Sequence, residues 1–336
     1  MEPDRLEAVI RAVVKELEAA AAGERAPAVP PVPPAPAPPR PAPSPAAAVP
    51  GPAAAVPLPA PAVPAPAAAA PPAPGTLAID LDDPTTPEAR RRPWIDRPAD
   101  AGGLEALLEC TTARIGAGRA GPCLRTGPLH LFMSDLAITK DALARDVDPA
   151  LLEQFGLFTV RTRVTGGKEE YLLRPDLGRS LSTEARRTVQ ERCAMQPDVQ
   201  ICVGDGLSAR AVEANLGKIL PVLQAGCATA GLKLGTPFFI QYCRVGVLND
   251  IGDLLQPKVA ILLIGERPGL GRAESLSAYM AYRPRAGHTD AERDVICNIF
   301  DGGGANPLEA GAYALRLAQR MIQNEASGVK LKLMEE

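Results

Sequence analysis

Histidine is nearly absent: the 336-residue chain contains two, His130 and His288. A His-rich metal centre or a His-dependent catalytic triad therefore has too little material, so no metal site is expected in this chain and the case for free-standing catalysis is weakened. The seven cysteines are odd in number, scattered and never in CxxC spacing. That pattern argues against a disulfide framework or a structural zinc site and for reduced, mostly packed thiols. Charge of one sign is lacking too: a net charge of −3 and a pI near 5.7 give no general attraction to nucleic acid or to an anionic membrane. No apolar run approaches the ~20 residues that a membrane span needs. The first residues lack the apolar stretch and cleavage pattern of a secretory signal, so a cytoplasmic location is expected.

Proline is abundant but unevenly placed. From about Ala26 to Gly75 the chain is almost pure Ala, Pro and Val, and that stretch holds 21 of the 37 prolines. It lacks the large side chains that offset the entropy of ordering, so residues 26–78 read as a disordered, semi-rigid Ala/Pro-rich linker. Ahead of it, Asp4 and Glu7 have capping-box spacing, Leu6, Val9, Ile10, Val13 and Leu17 form one apolar stripe, and Gly23 supplies a stop. Residues 1–25 therefore predict a short amphipathic helix. Such a helix is marginal alone in water and has no adjacent core. It is either a targeting or assembly element that docks elsewhere, or a frayed terminus.

Residues 79–195 read as a mainly helical subdomain, with LEALLECTTARIG, SDLAITKDALARD, PALLEQFG and STEARRTVQERCAM as candidate helices. LFTVRTRV and EEYLLRP flank Gly166–Gly167 and suggest a small hairpin. The arginines from Arg90 to Arg125 form either a basic face or a merely solvated surface. Residues 196–336 change rhythm. DVQICVG, TPFFIQYCRV and PKVAILLIG are short apolar runs that alternate with helical segments, and NPLEAGAYALRLAQRMIQNEASG closes the chain. That alternation predicts an α/β fold with a parallel sheet covered on both faces.

In such sheets ligands bind beyond the carboxyl ends of the strands. Three loops qualify: Gly204–Ser208, Cys243–Val247 and Gly265–Gly271. The last, GERPGLG, has three glycines that admit close backbone approach or φ > 0, and a proline that stiffens it. It is not G-x-G-x-x-G, and GxxxxGK[ST] is absent from the whole chain. Glu266 is acceptor-only when ionised, so it would repel phosphate and suit amide or hydroxyl donors. The predicted ligand is rich in N–H groups and has a large flat face. Glu266–Arg267 could instead be a surface ion pair, Asp205 a turn residue capping the next helix, and Arg244 either a phosphate contact or a closure of the sheet edge.

Five runs carry a family resemblance: GRAGPCLRTG (118–127), YLLRPDLGR (171–179), DGLS (205–208), LGTPFFIQYCRV (234–245) and LIGERPGLGRAESLSAYMAYRPR (263–285). In order and with few gaps, from about Cys110 to Leu333, they resemble the small subunit of ethanolamine ammonia-lyase. That carbon–nitrogen lyase uses adenosylcobalamin to convert ethanolamine to acetaldehyde and ammonia. The resemblance implies a Rossmann-like domain that encloses the cobalamin together with the large subunit, in a hetero-oligomer whose substrate site lies on the large subunit. It implies that Glu266 matches the family's cobalamin-contacting glutamate and that Val245, just after Arg244, matches a backbone contact. A third family contact is made at a cysteine ahead of an I-x-N-I run. Here RDVICNIF puts Val295 at that position and Cys297 two places on, so the thiol is not required and any contact is through backbone or shape. The signature Asp-x-His-x-x-Gly is missing, which is consistent with a base-on cobalamin.

Two rivals remain open on the residues alone: an independent enzyme binding a nucleotide or flavin at the same crevice, and a purely structural protein that assembles through its N-terminal helix. The family's small subunit can be directed into an ethanolamine-utilisation microcompartment by such a segment. Deleting residues 1–25 is expected to preserve turnover in the assembled enzyme and to abolish encapsulation, measured by co-purification with shell proteins; unchanged sorting would remove the targeting reading.

Overall fold

The computed structural model describes residues 86–334, Thr112 excepted. The expected N-terminal helix (1–25) and the Ala/Pro-rich linker (26–78) lie outside the described residues.

In chain order the elements are α1 (Pro87–Arg91), α2 (Ala101–Cys110), a two-stranded ribbon of β1 (Arg119–Ala120) and β2 (Cys123–Leu124), α3 (Thr126–Ala144), α4 (Pro149–Gln154), β3 (Phe158–Arg161), α5 (Gly167–Leu173), α6 (Thr183–Arg192), β4 (Val199–Gly204), α7 (Ala209–Thr229), β5 (Phe238–Gln241), α8 (Val247–Leu255), β6 (Val259–Gly265), β7 (Leu276–Tyr282), β8 (Arg293–Ile299), α9 (Pro307–Asn324) and α10 (Val329–Leu333). Several helix starts follow from side chains that accept an orphan backbone N–H of the first turn. Ser208 accepts from Ala211 N and opens α7, as its position after DGL predicts. Ser182 does the same for α6 and Asn306 for α9.

One six-stranded sheet organises the chain, in the order β3-β5-β4-β6-β7-β8. Strands β3, β5, β4 and β6 run parallel, whereas β7 and β8 are antiparallel to their neighbours. The architecture is α/β as expected, but the sheet is mixed, which corrects the expectation of a parallel one. The physical reason is the connection: residues 266–275 join β6 to β7 without a helix, and so short a link returns the chain antiparallel.

LFTVRTRV and EEYLLRP do not form a hairpin. Phe158 and Val160 are buried beside Phe238 and Ile240, so β3 extends the main sheet from within the segment read as mainly helical. EEYLLR lies in α5 instead. The Glu170 carboxylate accepts the backbone N–H groups of Gly166 (2.6 Å) and Thr165 (2.7 Å), which makes Gly166–Gly167 a helix entry. Those two bonds, Gly166 first, hold the Glu170 carboxyl below its usual range.

Strand alternation sends side chains to two cores. Val259, Ile261 and Leu263 of β6 face one of them, with Leu216, Leu220 and Leu223 of α7 and Ala314, Leu317 and Met321 of α9. Ala260, Leu262 and Ile264 face the other, with Val189 of α6 and Leu248, Ile251 and Leu255 of α8. Each fully buried aliphatic side chain contributes about 1.5–3 kcal/mol of transfer free energy. Coverage is unequal. On the first face α7 and α9 reach out over β7, and α9 over β8; on the second, α6 packs on β3 and α8 on β6. On that second face Tyr279 is half-buried, Val295 is 48% exposed and Cys297 is exposed. Ser277 and Ala281 of β7 are buried on that face, so the shelf is the part of the last two strands around Tyr279 and Val295.

The tips of β4 and β6 meet at two glycines. Leu207 N donates to Gly265 O at 3.0 Å. At Gly206, with φ +56°, an added Cβ would stand 2.1 Å from that same oxygen. Gly206→Ala is therefore expected to lower stability by at least the ~1–3 kcal/mol typical of overpacking, with left-handed backbone strain in addition. A urea midpoint equal to that of the parent would show that the two tips are not in contact.

Candidate cofactor site at the carboxyl edge of the sheet

The three predicted loops do lie side by side, because Gly204, Ile240 and Ile264 are in register at the strand ends. Their roles differ. Asp205, at the tip of β4, is 1% exposed and faces inward. Its two oxygens accept Tyr242 N and Cys243 N, both at 2.8 Å, and Lys168 Nζ lies 3.4 Å away. Burial pushes the Asp205 carboxyl above its usual range, opposed by Lys168 and by the two N–H groups. The capping role weighed for Asp205 belongs to Ser208; Asp205 is a clamp on the neighbouring loop. It stabilises Tyr242 in the left-handed region, at φ +60°, where a residue with a Cβ is strained.

That loop carries Arg244 and Val245. Tyr171 Oη donates to Cys243 O at 2.6 Å, and Arg244 N to Gly178 O at 2.8 Å. The Arg244 guanidinium turns back onto Tyr171, 4.3 Å from the ring centroid, and donates to Tyr171 O at 3.3 Å. Of the two readings open for Arg244, this geometry favours closure of the fold over a reach to phosphate. Its Nε is buried and unpartnered. Val245 is half-buried and packs against the second core, the one whose face extends into the shelf.

Glu266 follows β6. Its N–H donates to Ser275 O at 3.0 Å, which starts the return towards β7. Its carboxylate meets the Tyr279 hydroxyl at 3.4 Å. Glu266 and Arg267 form no ion pair with one another. Tyr279 stands opposite Val295 in the β7–β8 register, so the two share a face, and Cys297 lies two residues further along β8. Burial, and then the neighbouring Glu266 charge, push the Tyr279 phenol up to about 12. Tyr279 escaped the sequence reading, since an S-A-Y-M-A-Y run announces neither a strand partner nor a site.

The glycines of GERPGLG serve the fold first. A Cβ on Gly265 would stand 2.1 Å from Ser208 O. Gly271, at φ +71°, lies against Asp135 and Arg90, and its carbonyl accepts Arg90 Nη1 at 2.6 Å. Thr139 Oγ1 of α3 donates to Gly269 O at 2.9 Å. Asp135 is 1% exposed and pairs with both Arg90 and Arg114. Two of the arginines weighed as a basic face are thus internal ties. A cleft of about 770 Å³ borders this junction. It is lined by four arginines, Arg90, Arg91, Arg114 and Arg272, and by four carboxylates, Glu109, Asp135, Glu274 and Asp301, so it exerts no net pull on an anion. None of the predicted site residues lines it.

From Val245 beyond β5 to Val295 on β8 the predicted residues span four strand spacings, roughly 19 Å at ~4.8 Å each. That width suits a broad, flat ligand. The family model for the ethanolamine ammonia-lyase light chain (EutC) matches residues 101–332. The chain belongs to that family. Ethanolamine ammonia-lyase is a cobalamin-dependent lyase, and a light chain of it implies a heteromer with a large subunit. In this light chain no described helix is long and apolar enough to cross a membrane, and no group of three metal-ligating side chains occurs among the described residues.

The clamp gives the sharpest test of the site's scaffold. Asp205→Ala would leave two buried N–H groups and Lys168 without their acceptor, an expected loss of about 3–5 kcal/mol. Asp205→Asn, which keeps one acceptor oxygen, is expected to lose less. Urea unfolding of the three chains measures the order, and an alanine variant as stable as the parent would rule the clamp out.

Proposed function

We propose that this chain is the cofactor-holding subunit of an ethanolamine ammonia-lyase, enclosing base-on adenosylcobalamin between its shelf and the large subunit, where ethanolamine becomes acetaldehyde and ammonia. The observation that carries the proposal is the part of the β7–β8 face where Val295 and Cys297 are exposed and Tyr279 is half-buried, rimmed by an acceptor-only carboxylate, in a chain of this family. The donor set fits the group. Corrin has a ring of amide side chains, and the Glu266 carboxylate accepts N–H bonds; Val245 and Val295 supply apolar walls on the same sheet face. Bound cobalamin supplies the radical chemistry.

The work of this chain's own residues is binding and orientation. Glu266 holds the amide periphery, Val245 closes one side, and Val295 presents strand backbone and a short apolar side chain where a thiol is not required. Cys297, exposed two residues on, lies at the margin of the shelf. Arg244 acts through Tyr171, fixing the loop on which Val245 sits. No residue of this chain transfers a proton in the reaction. We assign cofactor binding to residues 196–336, with β3 from the 79–195 segment completing the sheet. Residues 1–25 would direct the enzyme from the cytoplasm into a microcompartment.

Co-expression with the large subunit, followed by the visible spectrum with adenosylcobalamin and acetaldehyde release from ethanolamine, tests the proposal. A stoichiometric, corrinoid-binding, active complex is expected; a chain that binds no corrinoid with any large subunit would defeat it. Within that complex Glu266→Ala should weaken cofactor binding by roughly 10- to 150-fold, the equivalent of a charge-assisted hydrogen bond of about 1.5–3 kcal/mol. The KM for ethanolamine should stay unchanged.

A further inference from the structure

Glu266 lies at a strand end and is half-buried. Among the described residues a single group contacts its carboxylate by hydrogen bond or ion pair, and that group is the Tyr279 hydroxyl at 3.4 Å. At this distance the bond is longer than the ~2.7–2.8 Å usual for O–H···O, so it restrains the carboxylate without using up its acceptor capacity. The contact is made to Oε1, which leaves Oε2 for other donors. The Tyr279 ring packs against the second core and stands directly opposite Val295. Both of its edges are therefore accounted for: the ring joins the flat shelf, and the hydroxyl reaches its rim.

We propose that Tyr279 is a positioning residue, holding the Glu266 carboxylate at the rim of the β7–β8 shelf in the orientation that receives the cofactor's amide groups. The proposal rests on the reading of Glu266 as a cofactor contact. A glutamate side chain free at a strand end must be ordered when a ligand binds, and ordering lowers affinity. A neighbouring hydroxyl that limits its rotamers beforehand reduces that loss. The hydroxyl must remain a donor to do so, and burial beside a carboxylate keeps the phenol protonated through the neutral range.

The experiment is a double-mutant cycle in the complete enzyme assembled with its large subunit, read as the affinity for adenosylcobalamin by visible absorbance and, separately, as kcat and the KM for ethanolamine. Tyr279→Phe keeps the ring and removes the donor. It is expected to weaken cofactor binding by about 2- to 10-fold, the size of one neutral hydrogen bond, with the KM for ethanolamine unchanged. In a Glu266→Ala background the same change is expected to have no further effect, a coupling that a merely structural role would not produce. Tyr279→Phe at parental affinity while Glu266→Ala is weakened would overturn the inference and leave the Glu266 contact standing. Parental affinity in both would remove the Glu266 contact and the inference with it. Full additivity in the double variant would mean that Tyr279 acts on the cofactor directly, which also overturns the positioning role. Should Tyr279→Phe fail to assemble, Glu266→Asp serves instead, since it withdraws the carboxylate from the hydroxyl by one methylene. Affinity reduced towards that of Glu266→Ala supports positioning, and parental affinity overturns it.

Discussion

A single buried carboxylate sets the geometry of this edge of the sheet. Asp205 sits at the tip of the central strand β4 and takes its hydrogen bonds from the next chain segment over, the N–H groups of Tyr242 and Cys243. A carboxylate removed from water is tolerated only when its charge is met by donors, and here two backbone groups and Lys168 meet it. In return it fixes a left-handed turn at Tyr242 that β5 would not adopt unaided. The positions of Cys243, Arg244 and Val245, and the start of α8 at Val247, descend from that turn. Tyr171 and Gly178 then brace the same loop from outside the sheet, through the Cys243 carbonyl and the Arg244 N–H.

The second constraint is the uneven layering. Helices α7 and α9 cover one face of the sheet as far as its antiparallel edge, while on the other face α6 packs on β3 and α8 on β6, and Val295 and Cys297 of β8 stay exposed. Apolar side chains left exposed beside a half-buried aromatic mark a candidate binding surface. Its members are consistent with a flat ligand closed over by a partner: a half-buried tyrosine, a valine 48% exposed and a carboxylate at the rim. The light-chain family implies a heteromer with a large subunit, in an enzyme that depends on cobalamin.

Much of this was legible in the sequence because it is local. DVQICVG and PKVAILLIG contain continuous apolar runs, and strands buried on both faces have that composition; the strands within them, Val199–Gly204 and Val259–Gly265, are fully buried here. Ser208 announced a helix start through its cap. The strands β7 and β8 were not legible. Their pattern mixes Ser, Ala, Tyr, Asp and Asn, with buried Ser277 in β7 and exposed Val295 in β8, so neither alternation nor a continuous apolar run stands out. The same holds for the site. Glu266 and Val245 were reachable through motif resemblance, whereas Tyr279 acquires its meaning from cross-strand pairing. Asp135 was hidden for another reason: an acid within a helix reads as solvated, and its burial depends on two arginines 45 and 21 residues away.

The tie between Arg90 and the Gly271 carbonyl joins residues separated by 181 positions. Closing so long a loop is slow relative to local helix formation, and contacts of high sequence separation form late in the folding of such chains. During synthesis the ribosome delivers Arg90, Arg114 and Asp135 well before GERPGLG emerges, so the anchoring surface on α3 waits for the loop rather than the reverse. The GERPGLG loop is thus fixed in place only after its anchoring residues, far earlier in the chain, have been made.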